Sequence, residues 1–322
     1  MAEKLTTAVM FTGAAARISQ EVAMADKLMA NKGLSLSEDN TLIAGFSSGS
    51  LNLAEINTCF RKDNPLSWDE YYKQQVLFKL KNKDAYRKKF PPFDTSPLRK
   101  TLNSFLASAN FKWCKDLPFR SYILTFSRSE FETLWACSRD VNQEYLKLSD
   151  LFMSSTAIPI VFPAQEIHCE PGHTTDFPGG LYNDGGTGGT FKRFEDYIGK
   201  YVKENQAFEK LFIISPMREK SDEETHKLFD HLHRSRKRKK HLKEANLGNI
   251  SFKTFMKFLG ELSAYNKNHM IAKEIFISIP DLKKNFPILN FNVQEKQYNA
   301  VCTWVDNNPD KLAIPLEEFI NS

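Results

Sequence analysis

Residues 42–51, Leu42-Ile43-Ala44-Gly45-Phe46-Ser47-Ser48-Gly49-Ser50-Leu51, decide the fold. Leu42 to Phe46 is a short unbroken apolar run of the kind that forms a strand buried on both faces. From Ser48 onward, Leu51, Ala54 and Ile56 follow a helical pattern. Between them stands Gly45-Phe46-Ser47-Ser48-Gly49, a match to G-x-S-x-G at a predicted strand-to-helix turn. A chain of this composition contains the pattern about 0.04 times by chance, so the match is moderately specific and its setting adds to it. A serine hydroxyl is a weak nucleophile unless a sharp turn presents it to a base. Flanking glycines remove side chains that would collide with the neighbouring strand or helix. The helix N-terminus adds N–H groups and a positive dipole end where negative charge develops. Ser47 is therefore the candidate nucleophile; the plainer reading is a Gly/Ser turn that Ser47 caps.

Working outward, Ala8-Val9-Met10-Phe11 reads as an earlier buried strand, ended by Thr12-Gly13. Ala15, Ile18, Val22 and Met29 then recur at helical spacing up to the stop at Gly33. Strand, helix, strand, helix argues for an α/β fold, a parallel sheet covered on both faces. Residues 67–90 read as one Lys-rich amphipathic helix carrying Trp68, Tyr71, Val76, Leu77 and Leu80, ended by Pro91-Pro92. Further helices are expected over 97–109, 146–157 and 252–270, and further strands over 122–126, 133–137, 211–214 and 274–280. Between them, 218–246 is a charged excursion containing Arg234-Ser235-Arg236-Lys237-Arg238-Lys239-Lys240. With no internal repeat and no low-complexity linker, residues 1–322 read as a single domain.

Composition is that of an ordinary soluble globular protein, 41% hydrophobic and 26% charged. No apolar run approaches ~18 residues, so no transmembrane helix is expected. The N-terminal residues imitate a signal peptide, but the apolar core spans just Ala8 to Phe11 and Glu3 sits where positive charge belongs. The five cysteines are an odd number, widely spread without a C-x-x-C pair, so neither a zinc site nor a disulfide framework is suggested. Reduced thiols fit a cytoplasmic setting. The net charge of +5 slightly favours an anionic partner.

Three further segments carry a resemblance. Gly13-Ala14-Ala15-Ala16-Arg17 resembles the G-G-G-x-R-G loop of the patatin-like phospholipases, Met153 to Pro163 (MSSTAIPIVFP) resembles their A-S-x-A-I-P-x-x-F-P block, and Tyr182-Asn183-Asp184-Gly185-Gly186 resembles their D-G-G/A motif. With Ser47 the four blocks keep the family's order over about residues 5–190. The resemblance implies a three-layer α/β/α sandwich with a mostly parallel central sheet. It also implies a lipid acyl hydrolase, of phospholipase A or lysophospholipase type, acting through an acyl-enzyme on Ser47. Asp184 is then the general base, backbone N–H groups of Gly13, Ala14, Ala15 and Ala16 form the oxyanion hole, and Arg17 supports that loop. No metal or other cofactor is implied, and burial should raise the Asp184 pKa toward working pH. Several patatin-like bacterial toxins need an activator, so an unidentified one belongs to the same expectation. Departures from the family are Ala14, Ala15 and Ile18 for glycines, and Thr187-Gly188-Gly189-Thr190 after the aspartate motif. Alanine can supply the same N–H where φ is negative, whereas a positive φ costs an L-residue about 1 kcal/mol.

Two other readings stand beside this one. An α/β-hydrolase esterase would need a histidine after its acid, from among His226, His231, His233, His241 and His269. A catalytically weak patatin fold would bind lipid or a partner. The run containing Arg234, Arg236, Lys237, Arg238, Lys239 and Lys240 is expected as a solvated face or a peripheral contact with anionic membranes, with nucleic acid the less favoured partner.

Overall fold

A computed structural model describes residues 4–87, 91–187, 194–218, 252–283 and 286–322. The elements begin β1 (Thr7–Phe11), α1 (Ile18–Asn31), β2 (Thr41–Phe46), α2 (Ser48–Cys59), α3 (Asn82–Ala85) and α4 (Ser96–Ser108). They continue β3 (Arg120–Ser127), β4 (Glu132–Cys137), α5 (Leu148–Ser155), β5 (Gln165–Glu166), β6 (Leu181–Asp184), α6 (Phe194–Glu204) and β7 (Phe208–Ile214). Then come α7 (Phe252–His269), β8 (Ala272–Ser278), α8 (Gln294–Asn307), β9 (Ile314–Pro315) and α9 (Leu316–Asn321).

Alternation along β1 sets up two cores, because successive side chains of a strand point to opposite faces. Val9 and Phe11 join one apolar cluster with Ala23 and Met24 of α1, Leu53 of α2, Phe152 of α5 and Val301 of α8. Ala8 and Met10 join another with Ile198 of α6, Phe258 of α7 and Leu316 of α9. The sheet is thus sandwiched between helical layers. β1 lies at its centre, parallel to β2 on one side and β7 on the other. Along the hydrogen-bonded path the order is β5-β6-β3-β2-β1-β7-β8-β9, with β4 also paired to β3. The pairings β1–β2, β1–β7, β2–β3 and β7–β8 are parallel. The expected α/β/α sandwich with a mostly parallel sheet is the fold observed.

One expected element is different. Residues 67–90 do not form a single amphipathic α-helix. Trp68–Leu77 is a π-helix, and after a turn α3 adds just four residues. Its buried side chains, Tyr72 and Leu77, are five apart, the repeat of a π-helix rather than an α-helix. Asp26 of α1 explains the pull: it accepts from Trp68 Nε1 at 2.6 Å and Lys73 Nζ at 2.8 Å. Lys73 is thereby committed to an internal ion pair and does not belong to a free basic face. Lys88 and Lys89, like the run 234–240, lie outside the described residues.

Candidate active site

β3 is the template on which the site is assembled. One edge of β3 pairs with β4 across Tyr122 to Ser127. The other edge is shared by two strands. β2 runs parallel along it and ends with Phe46 opposite Leu124; β6 runs antiparallel and ends with Asp184 opposite Thr125. The two strands approach head-on, and their C-terminal ends meet at consecutive residues of β3. Ser47 follows Phe46 directly, so sheet register alone brings Ser47 beside Asp184.

Ser47 has φ 51° and ψ −138°, a strained left-handed conformation for a non-glycine residue. Several contacts hold it there. Its N–H donates to Ser155 Oγ at 3.1 Å, and its carbonyl accepts from Ser50 Oγ at 2.7 Å. A Cβ on Gly45 would stand 2.8 Å from Gly49 O, and one on Gly49 would stand 2.5 Å from Phe11 O. Both obstacles are backbone, which explains glycine on each side of the elbow: β1, β2 and α2 cross too closely for a side chain.

Asp184 is buried. Its N–H donates to Ala157 O at 2.9 Å, and its Oδ1 accepts from Gly186 N–H at 2.7 Å. Oδ2 is buried without a fully formed hydrogen bond. The Ser47 hydroxyl is nonetheless near enough to favour the charged carboxylate. Burial dominates and pushes Asp184 up to about 7, with Ser47 and Gly186 pulling the other way. A loose Ser–Asp contact is usual before substrate arrives. The contacts of Ser155 and Ala157 explain what the block 153–163 does physically, since they tie the backbones of Ser47 and Asp184 to one another.

The loop from Gly13 to Arg17 lies against the elbow. A Cβ on Gly13, whose φ is +66°, would stand 2.7 Å from Phe46 O and Gly49 N. Gly13 N–H donates to Glu21 Oε1 at 2.7 Å, Ala14 N–H to Ser48 Oγ at 3.0 Å, and Ala16 N–H to Ile288 O at 2.8 Å. Ala15 N–H has no partner among the described residues. Ala14 is extended, with φ −171°, as any residue can be, whereas Ala15 has φ 49°. Arg17 is buried behind the loop and its Nε donates to Phe286 O at 3.0 Å. Ala15 and Ala16 pack into an apolar cluster with Ile158, Val161, Phe162 and Phe93, which walls the loop with hydrocarbon.

His269 is exposed at the end of α7, its ring tilted by 38° against that of Tyr265. His226, His231, His233 and His241 lie outside the described residues. Among the described residues no histidine hydrogen-bonds Ser47 or Asp184, and no cluster of His, Cys, Asp and Glu has the make-up of a metal site.

The sequence pattern of the patatin-like phospholipases matches residues 9–191, more than half of the chain. The chain belongs to the patatin-like phospholipase family. No curated protein matches it. As a patatin-like protein it falls within a family of lipid acyl hydrolases. Sequence reasoning missed three groups of this patatin-like site: Glu21 behind the loop, Ser48 on Ala14, and Ser155 beneath the elbow. For Glu21 the signal was available, because an acid next to Val22, on the apolar stripe of a helix, needs a reason to be buried.

Proposed function

We propose that this protein is a phospholipase A or lysophospholipase in which Ser47 is the nucleophile and Asp184 its general base. What carries the reading is the head-on meeting of β2 and β6, which sets a strained serine beside a carboxylate that burial pushes up to about 7. Ser47 Oγ bonds to the ester carbonyl carbon as its proton passes to Asp184. The C–O bond to the alcohol then breaks, and Asp184 returns the proton to that alcohol. Water repeats the sequence on the acyl-enzyme: its proton goes to Asp184, its oxygen to the carbonyl carbon, and Ser47 leaves reprotonated with the free fatty acid. The oxyanion is held by Ala15 N–H and by Ala14 N–H, once the Ser48 hydroxyl swings aside, with the N-terminal N–H groups of α2 nearby. Gly13 and Ala16 N–H hold the loop's shape. The apolar cluster around Ala15, Ile158 and Phe162 suits an acyl chain better than a polar ester.

The test is a lipid panel with products read by mass spectrometry on wild type, Ser47→Ala and Asp184→Asn. Both variants should lose turnover by several orders of magnitude while remaining folded, and a fluorophosphonate should label wild type at Ser47. A Ser47→Ala protein retaining above about a tenth of the activity sinks the assignment. We further propose that the run 234–240 draws the enzyme to anionic lipid, each cation contributing about 1 kcal/mol near the surface. Serine at residues 236–240 should weaken binding to acidic vesicles at low salt and spare hydrolysis of a soluble short-chain ester. Unchanged vesicle binding would make the run a solvated face.

A further inference from the structure

Glu21 is an acid with no place in the dyad chemistry, yet it is fully buried and joined to the loop beside Ser47. Its Oε1 accepts from Gly13 N–H at 2.7 Å, and Thr12 N–H adds a weaker contribution. Its Oε2 accepts from Asn52 Nδ2 at 2.8 Å, and Asn52 Oδ1 accepts from Tyr72 OH at 2.8 Å. Asn52 is wholly buried and Tyr72 almost so. The network therefore runs from the π-helix through α2 and α1 to the residue that opens the oxyanion loop. Gly13 and Asn52 both donate to Glu21, one to each carboxyl oxygen, an arrangement that suits an ionised carboxylate.

We propose that Glu21 is a positioning residue for the oxyanion loop: seated behind Gly13, its carboxylate fixes the direction in which Ala14 and Ala15 present their N–H groups to the reacting carbonyl. This rests on the Ser47 reading for its catalytic consequence, but the hydrogen bond it invokes is independent of that reading.

Two features give the proposal a consequence that packing alone lacks. Gly13 has positive φ and lies tight against the elbow, where an added Cβ would stand within 2.8 Å of backbone atoms of Phe46, Ser48 and Gly49, so a shift at its N–H passes to Ala14 rather than toward the elbow. Protonation, in turn, would invert the network. A neutral Glu21 must donate, Asn52 is the partner able to accept by flipping its amide, and Tyr72 must then give up its bond to Asn52 Oδ1. The bond to Gly13 falls from charge-assisted to neutral, roughly half its strength. Burial pushes Glu21 up to about 8, against the pull of Gly13, Asn52 and Thr12, so this change falls in the working range. The ionisable groups around this network are Tyr72 and, acting on it, Glu55, Cys59 and Asp26, with Arg17 one turn before Glu21 and Lys73 paired to Asp26; from α8 the neutral amides of Gln294 and Gln297 reach Ala16 O.

The experiment has two arms. In wild-type protein labelled with 15N-glycine, the Gly13 amide should move downfield as pH rises through about 8, and the same titration should persist in Ser47→Ala. In steady-state kinetics on a short-chain ester, Glu21→Gln should lower kcat about tenfold with little change in KM. Its kcat should then rise with pH as one ionisation, where wild type shows two. Tyr72→Phe, two bonds away, should displace the Gly13 titration without abolishing turnover, and it keeps the test open if Glu21→Gln fails to fold. A Gly13 amide indifferent to pH, or a Glu21→Gln enzyme with wild-type kcat and pH profile, overturns the proposal. If Ser47→Ala stays active while the Gly13 titration is seen, the nucleophile assignment fails and the loop anchor stands.

Discussion

Free aspartate titrates near pH 4, and burial moves Asp184 up to about 7. The sign of the consequence follows from proton counting. Between those values the unfolded chain has lost its proton while the folded one keeps it, so stability falls as pH rises through the window and the full penalty is present above about 7. Asp184→Asn should accordingly be more stable than wild type at pH 8, by on the order of 1 to 4 kcal/mol, and no more stable at pH 3. Denaturant melts at the two values check it; an equal change at both would place the effect in packing rather than charge. Under the proposed mechanism activity should rise as pH increases through about 7, because Asp184 must be ionised to accept the Ser47 proton. The alanines that replace family glycines divide the same way. Ala15 sits at φ 49° and Ala14 at φ −171°. Ala15→Gly should therefore stabilise by up to about 1 kcal/mol, and Ala14→Gly should destabilise by roughly 0.5–1 kcal/mol through added freedom of the unfolded chain. Thermal melts of the pair decide it, and the same sign for both would contradict the backbone account.

At the scale of elements, the crossing of α2 over β1 and β2 leaves no room for error. A Cβ on Gly49 would meet Phe11 O at 2.5 Å and Gly13 N at 2.9 Å, whereas one on Gly33, at the exit of α1, would meet nothing within 4 Å. Gly49→Ala should cost about 1–3 kcal/mol and most of the activity, because the helix must lift off the strand and the elbow moves with it. Gly33→Ala should cost about 1 kcal/mol from its φ of +68° and leave kcat alone. Equal activity losses would mean that the crossing does not govern the elbow. Much of this was legible beforehand. The apolar runs of β1 and β2 and the glycines around Ser47 are local signals, and outside 67–90 strands and helices fell close to where they were expected. The path of β6 was not legible. Tyr182-Asn183-Asp184 has no strand pattern of its own, and its place is set by which stretch of β3 remains free once β2 has ended at Phe46. The π-helix escaped for a similar reason: its spacing follows Asp26, a residue far away in sequence, rather than its own apolar period.

On the scale of the whole molecule, the family pattern ends at residue 191, yet the loop it contains is held by residues from beyond 285. Phe286 O takes Arg17 Nε, Ile288 O takes Ala16 N–H, and Gln294 and Gln297 both donate side-chain amides to Ala16 O, at 2.9 and 2.8 Å. The C-terminal segment thus closes the site from behind, and β7 and β8 extend the sheet that carries it. Because two donors share one buried carbonyl, their removal should not add. Gln294→Ala leaves Gln297 on Ala16 O, and Gln297→Ala leaves Gln294, although the latter also strands the Gln20 amide that donates to Gln297 at 2.7 Å. Removing both leaves a buried carbonyl unsatisfied, at about 1–3 kcal/mol. The double variant should therefore lose more stability than the two singles summed, by more than about 0.5 kcal/mol, and kcat should fall in step as the loop loosens. Denaturant melts and kinetics on the three proteins measure both quantities. Strict additivity would mean that each glutamine serves the packing of α8 against α1 and that the loop is held without them.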